Sequence, residues 1–193
     1  KTTAQLRKTR QISSSQKRDR LPTFDELERL TNYFVKKWHH SSYSYPMHLI
    51  MWFAIFSCRR EAEITRMQLN DYDEENLLWK IRDLKNPNGS KGNHKEFSVH
   101  DDCQQLIQLL LGENVRNRML KRGYDEKLFV PLSPKTIGSE FRNACKLLGI
   151  DDLHFHDLRH EGCTRLAEKG MTIPQIQQVS LHDSWSSLER YVS

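Results

Sequence analysis

Residues 153–162 read LHFHDLRHEG: three histidines, His154, His156 and His160, with Arg159 among them. His156 and His160 are four apart, so a helix through the stretch shows both on one face. That spacing also opens a zinc site. Yet Asp157 stands where a zinc hydrolase would carry Glu, and no third ligand follows at the usual distance. Arg159 shares the same surface, and its permanent guanidinium repels a dication. An anion suits the residues better than a metal. His156 and Arg159, three apart, can converge on one phosphate, Arg with a rigid two-toothed fork and His exchanging a proton near neutral pH. A second Arg, a Lys and a nucleophile would complete a phosphoryl-transfer centre that needs no metal.

Working outward, helical spacing dominates. Thr23 is an N-cap candidate, followed by Asp25 and Glu26 and by Leu27, Leu30, Tyr33 and Phe34 at helical intervals. A very apolar helix is predicted from about Met47 to Cys58, at the centre of the core, opening into a second short helix through Arg59–Ile64. The one β region follows: Leu77–Leu84 (LLWKIRDL) and Lys95–Val99 (KEFSV), joined across the turn-rich Asn86–Asn93. Further helices are predicted over 102–111, 113–121, 133–148, 156–169, 173–179 and 184–191, with Gly112, Gly123, Gly149 and Gly170 where C-caps belong. The fold class expected is α+β, mainly helical, with a small antiparallel β-sheet inserted near its start.

The 193 residues suffice for one domain with a sizeable core. The chain opens on Lys1 rather than Met and stops at Tyr191-Val192-Ser193, as a piece of a longer protein would. The longest apolar run, Leu49 to Phe56, is far short of the ~20 residues that span a bilayer. Cys58, Cys103, Cys145 and Cys163 are scattered with no CxxC pair, which fits free thiols in a reducing cytoplasm. Residues 1–20 carry seven Lys or Arg against Asp19 alone, and the remaining 173 residues sum to −1. That segment reads as a basic arm or linker, of the kind that follows a phosphate backbone, with Lys17, Arg18 and Arg20 nearest the domain.

The boxes taken together resemble the tyrosine recombinase (phage integrase) family. His156-Asp157-Leu158-Arg159-His160, then Leu181-His182, then Tyr191 nine residues on, follow the family's H-x-L-R-H, G-H and nucleophilic Tyr. Ser57-Cys58-Arg59-Arg60-Glu61-Ala62-Glu63 matches T-G-x-R-x-x-E, with Met67 at the following Leu position and Asp71 at the Asp position. The hairpin is similar to the family's lysine hairpin. The resemblance spans about residues 20–193. Cys58 and Leu181 replace glycines, which puts backbone geometry in question rather than chemistry. Taken singly, Tyr191, Arg60 and Lys85 are ordinary residues; the ordered constellation carries the resemblance.

The resemblance implies a site-specific DNA recombinase or integrase of a mobile element, working through a covalent 3′-phosphotyrosyl intermediate without cofactor or metal. Tyr191 would be the nucleophile, and Arg60 and Arg159 would clamp the nonbridging oxygens. His156 would be the base on the phenol, and His182 would bond or buttress the phosphate. Lys85 would be the general acid on the leaving 5′-hydroxyl, with Lys91 its rival and Lys95 a distant third. Glu63 would orient Arg60 or cap its helix; His160 would support the site, and His154 would lie outside it. Lys17, Arg18, Arg20 and Lys91 would follow DNA. Trp185 and Leu188 would pack to seat the tyrosine. Partners implied are double-stranded DNA at specific sites and a homotetramer formed on it, monomeric otherwise, with accessory DNA-bending proteins and no membrane. The setting implied is a prokaryotic cytoplasm, at the nucleoid. By the same resemblance, an N-terminal DNA-binding domain and a C-terminal exchanged segment would lie outside residues 21–193. Rival functions are type IB topoisomerase-like nicking and resealing, or a catalytically silent DNA-binding regulator.

Overall fold

A computed structural model describes residues 18–85 and 89–192. Lys17 lies outside the described residues, as does most of the basic arm.

The first helix, α1 (Phe24–Trp38), starts on a full capping box: Thr23 accepts from the Glu26 N–H and Glu26 accepts from the Thr23 N–H. It buries Leu27, Leu30 and Phe34 against α2 (Met47–Ser57). Helix α2 is apolar nearly all round, as a helix at the centre of a domain must be. Its Met47, Ile50, Met51, Phe53, Ala54 and Ile55 are fully buried. It ends at Cys58, whose φ of 57° is left-handed and turns the chain sharply into α3 (Glu61–Ile64).

The sheet has three antiparallel strands in the order β1 (Tyr72–Asp73), β2 (Leu78–Ile81), β3 (Lys95–Ser98), with Trp79 opposite both Tyr72 and Phe97. Strand β1 was not expected from sequence, since two residues are too few to show an alternation. Strand β2 is shorter than the predicted Leu77–Leu84. Leu77 and Asp83 both have positive φ, 55° and 50°, and a left-handed residue cannot continue a ladder. Trp79 is buried between Tyr72, stacked at 4.5 Å, and Phe129, tilted at 4.8 Å, so the sheet is anchored through one side chain.

The remaining helices are α4 (Asp101–Leu110), α5 (Glu113–Leu120), α6 (Pro134–Leu148), α7 (Asp157–Glu168) and α8 (Ile173–Ser180). Gly149 caps α6 with φ 68° as expected, but Gly112 has φ −55° and starts α5 instead of capping α4. Helix α7 crosses α2 at Gly162. A Cβ there would lie 2.0 Å from the Ile55 carbonyl oxygen and 2.9 Å from Cys58 Sγ, so only glycine admits this approach.

The predicted helix over 184–191 is broken in two. A 3₁₀ turn at Trp185–Ser187 ends at Leu188, and α9 (Glu189–Val192) follows. The Ser184 hydroxyl bonds those of Ser186 and Ser187, and serines that satisfy one another this way compete with helical bonding. Leu188 is fully buried in a second apolar cluster with Cys58, Cys163, Leu166, Ile176 and Val179, against which Tyr191 packs. Trp185 does not pack: it is 55% exposed, with its Nε1 donating to Gln177 Oε1 at 2.7 Å. Among the described residues no helix is long and apolar enough to cross a membrane.

Candidate active site

The cleft is built on arginines that point at helix ends. Helix α8 stops at Ser180, and Leu181 turns left-handed with φ 59°, leaving the last carbonyls of the helix without partners inside it. Arg159, from α7, donates through Nη1 to Ser180 O at 2.7 Å and to Cys58 O at 2.6 Å. Arg59, beside the other end of the turn, donates through Nη2 to Val179 O at 2.7 Å and Ser180 O at 2.6 Å. Two guanidinium groups thus hold one helix C-terminus, where the helix dipole favours positive charge. Cys58 and Leu181, where the family pattern has glycine, both keep a left-handed backbone. The Cys58 carbonyl and that of Ser180, before Leu181, both accept from Arg159, so the geometry in question is present without the glycines.

Arg159 is 3% exposed, and its other nitrogen, Nη2, lies 3.3 and 3.4 Å from the two ring nitrogens of His182. A point equidistant from both nitrogens is over the ring face rather than along a lone pair. His182 is fixed from behind by the Ser180 hydroxyl at 2.7 Å and by Gln177, whose Nε2 donates to its carbonyl. Burial and the nearby Arg159, Arg60 and Arg59 push the His182 pKa down to about 2, so its ring is neutral. Burial, with Arg60 and Arg59, also lowers Arg159 to about 10. Buried Glu63 offsets this charge. Its carboxylate takes Arg60 Nη1 at 2.7 Å on one oxygen and pairs with Arg59 Nη1 at 3.1 Å on the other. Burial alone would raise the Glu63 pKa, but Arg59, Arg60 and Arg159 hold it below the ordinary value.

The phenol of Tyr191 enters the same cleft. A space of about 320 Å³ is lined by Arg18, Arg60, His156, Arg159, His160, His182, Ser187, Arg190 and Tyr191. The Tyr191 hydroxyl is 2.7 Å from His160 Nδ1 and accepts from Arg190 Nη2 at 2.7 Å. Arg190 Nη2 also reaches His160 Nδ1. Burial, Arg190 and His156 push the His160 pKa down to about 4, so its ring is neutral and Nδ1 can accept a hydrogen bond from the phenol. Burial raises the Tyr191 pKa, countered by Arg190 and Arg159. His156 is lowered by burial and by Arg60 and Arg159, and its ring packs edge-on to His160 with centroids 5.3 Å apart.

Sequence reasoning placed His156 at the phenol and His160 in support; in the structure His160 faces the hydroxyl. His156 precedes α7 and His160 lies one turn on, and only the tertiary path of Tyr191 decides which ring it meets. Arg59, Asp157 and Arg190 were not singled out either. Glu63, three and four residues from the Arg60-Arg59 pair, was a signal for Arg59. Nothing signalled Arg190, since adjacent helix residues do not ordinarily share a face.

The lysines lie elsewhere. Lys85 is exposed in a neighbouring groove with Asp83, Arg66 and Ser90; Ala62 borders both this groove and the one that Arg60 lines. Lys91 is exposed at the hairpin. Lys95 pairs with Asp183, next to His182, at 3.2 Å. Arg18 and Arg20, expected to follow a phosphate backbone, are paired with carboxylates of the domain itself: Arg18 with Asp157 and Asp152, Arg20 with Glu26. His154 is largely exposed and faces Asp152. Among the described residues no group of three or more His, Cys, Asp or Glu is arranged to hold a metal ion.

Four arginines, a histidine pair, a third histidine and a tyrosine thus meet in one cleft on a mainly helical frame. The phage integrase family model matches residues 21–193. This chain belongs to the phage integrase family. A shufflon-specific DNA recombinase of Escherichia coli is 26% identical over 179 residues, 90% of this chain and 40% of that one. The integrase of Salmonella phage P22 is 24% identical over 153 residues, covering 76% of this chain and 38% of its own. The chain therefore spans about two fifths of the length of these two relatives. The fold is shared with XerA recombinase (TM-score 0.63, 20% identity, 90% of this chain and 60% of that one). It is shared also with a lambda integrase dimer bound to a COC′ core site (TM-score 0.64, 19% identity, 99% and 52%).

Proposed function

We propose that this chain is the catalytic domain of a site-specific DNA recombinase of a mobile element, which cuts and rejoins strands through a 3′-phosphotyrosyl intermediate. The observation that carries the reading is the convergence of the Tyr191 hydroxyl with Arg60, Arg159, His156 and His182 on one cleft. Tyr191 Oη attacks phosphorus, a new O–P bond forms and the P–O5′ bond breaks. The phenol proton passes to His160 Nδ1, which already faces it at 2.7 Å. Arg159 and Arg60 hold the nonbridging oxygens, one such preorganised donor being worth ~3–4 kcal/mol. His156 and the neutral ring of His182 complete the oxygen contacts. Lys85, four residues beyond β2, is the proposed acid on the 5′-oxygen, with Lys91 its rival. Ala62 borders both the groove of Lys85 and the one that Arg60 lines, which supports a lysine acting beside the arginines. One phosphoester replaces another, so rejoining requires no nucleotide.

Substrate and assembly follow the same reading: double-stranded DNA at defined sites, a homotetramer on it, and accessory bending proteins. The lambda integrase dimer that shares this fold is bound to a core site, which supports DNA as the substrate class.

The test uses nicked suicide DNA substrates. The chain is expected to form a covalent adduct that Tyr191→Phe abolishes and a chelator does not. No adduct on a cognate site would sink the reading, and relaxation of any supercoiled plasmid would favour the topoisomerase-like alternative.

A further inference from the structure

The buried charge beside the histidine pair is neutralised from outside the domain. Asp157, the first residue of α7, is 0% exposed, and Arg18 is the one Lys or Arg paired with it among the described residues. Arg18 Nε donates to Oδ1 at 3.0 Å and Nη2 to Oδ2 at 2.9 Å, the two-toothed geometry that gives Arg–carboxylate pairs their strength and direction. The same guanidinium donates to the Asp152 side chain at 3.1 Å and to its carbonyl at 2.8 Å. Asp157 itself accepts from the His154 N–H at 2.8 Å, closing the loop that enters α7. At the other side, Arg190 Nη1 donates to the Arg18 carbonyl at 3.3 Å, while its Nη2 holds the Tyr191 hydroxyl. Arg18 therefore touches both the segment that carries His156 and the segment that carries the tyrosine, and it lines the cleft between them.

We propose that Arg18 is a positioning residue of the active site, through which the arm sets the register of the histidine pair and Tyr191. This rests on the recombinase reading and reassigns an arginine whose charge alone suggests a DNA contact. Removing it leaves a carboxylate buried and unpaired next to His156, an arrangement that proteins relieve by moving or by protonating neighbours. His156 and His160 are faced by Arg60 and Glu63 from α3, by Asp157 and Arg159 from their own helix, by His182 after α8, and by Arg190 and Tyr191 from α9. Without Arg18, the Asp157 carboxylate that faces both rings loses its paired cation, which favours the imidazolium form of both.

The experiment compares Arg18→Ala, Arg18→Lys, Asp157→Asn and the double variant Arg18→Ala/Asp157→Asn with the unchanged chain. It reads adduct formation against pH, the salt dependence of DNA affinity, and histidine titrations by NMR without DNA. Arg18→Ala is expected to slow adduct formation about tenfold, as a small misplacement of reacting groups does. It should shift the acid limb and the histidine titrations to higher pH, with Arg18→Lys intermediate. The double variant should recover most of the rate and return the titrations. The slope of affinity with salt should stay unchanged, whereas a lost phosphate contact would lower it by about one. A lowered slope with unmoved titrations would overturn the proposal in favour of a DNA contact, and so would an unaltered rate and pH profile. If the unchanged chain forms no adduct, the recombinase reading fails separately. The titrations then decide alone: an upward shift in Arg18→Ala that Asp157→Asn cancels supports the clamp, and its absence refutes it.

Discussion

On one wall of the cleft, Arg159 is 3% exposed and donates to carbonyls from two separate segments, Cys58 and Ser180. On the other, Tyr191 stands on a four-residue helix beyond a 3₁₀ turn, held by Arg190, His160 and the packing of Leu188. The arginine wall is tied into α2, α7 and α8, so its donors keep their aim whether or not a phosphate is present. That is what electrostatic stabilisation of a transition state requires, because reorienting dipoles during the reaction would consume the benefit. The tyrosine wall has few buried contacts and short elements, the signature of a segment that opens at low free-energy cost. Stabilising charge is built into the core, and the nucleophile is delivered to it.

The largest effect should come from breaking the rigid wall at its closest approach. Gly162→Ala puts a methyl 2.0 Å from the Ile55 carbonyl oxygen and 2.9 Å from Sγ of Cys58, the residue whose carbonyl receives Arg159. Backbone cannot yield as a flexible side chain does, so unfolding stability should fall by about 3 kcal/mol or more. Chemical denaturation would measure it. A change under about 1 kcal/mol would show that α2 and α7 can slide apart, and the contrast between the walls would lose its basis.

The same contrast sets what was legible in the sequence. Arg60, Arg159 and His182 were named through the resemblance of their boxes to the family's, and they line one cleft from a turn, a helix start and a helix end. The wide apolar helix at 47–58 and the Thr23 cap were readable because their structure is decided locally. The identity of the histidine facing Tyr191 was not, because it depends on where a broken terminal helix lands after Leu188 finds its pocket. Arg59 beneath the site and the Arg18–Asp157 pair were also hidden, since burial of a charge is decided by partners 120 and 139 residues away. The left-handed turns at Cys58 and Leu181 read as missing glycines; the backbone they need is present all the same, imposed by packing.

A middle-sized effect should separate the two histidines. His160 is held near pKa 4 by burial and by Arg190 and His156, against about 6.5 in an unfolded chain. Between those values the unfolded state binds a proton that the folded state does not, so stability falls as pH drops from about 6.5 toward 4. His182, near 2, has the same sign and continues the loss below that. His160→Gln should remove part of the slope in the upper window, measured by denaturation at several pH values. It should also slow adduct formation about a hundredfold, the low end of what a lost general base costs. If His156→Gln instead slows the chemistry that much and His160→Gln does not, the base is His156 and the contact with Tyr191 is only a resting position.

The smallest effect is expected where the rigid wall ends, at Leu181. Its left-handed backbone carries strain of roughly 1–2 kcal/mol that glycine would remove. Its half-buried side chain packs on the main core, and losing it costs about the same. Leu181→Gly should therefore leave stability within about 1 kcal/mol of the starting protein, with the two terms opposed. The Ser180 carbonyl would still face Arg159 and Arg59, so adduct formation should change by less than about threefold, under 1 kcal/mol of barrier. A rate loss of a hundredfold with unchanged stability would mean that the Leu181 side chain, and not the turn it makes, holds His182 against the arginine. The rigid wall would then extend one residue further toward the tyrosine than its hydrogen bonds indicate.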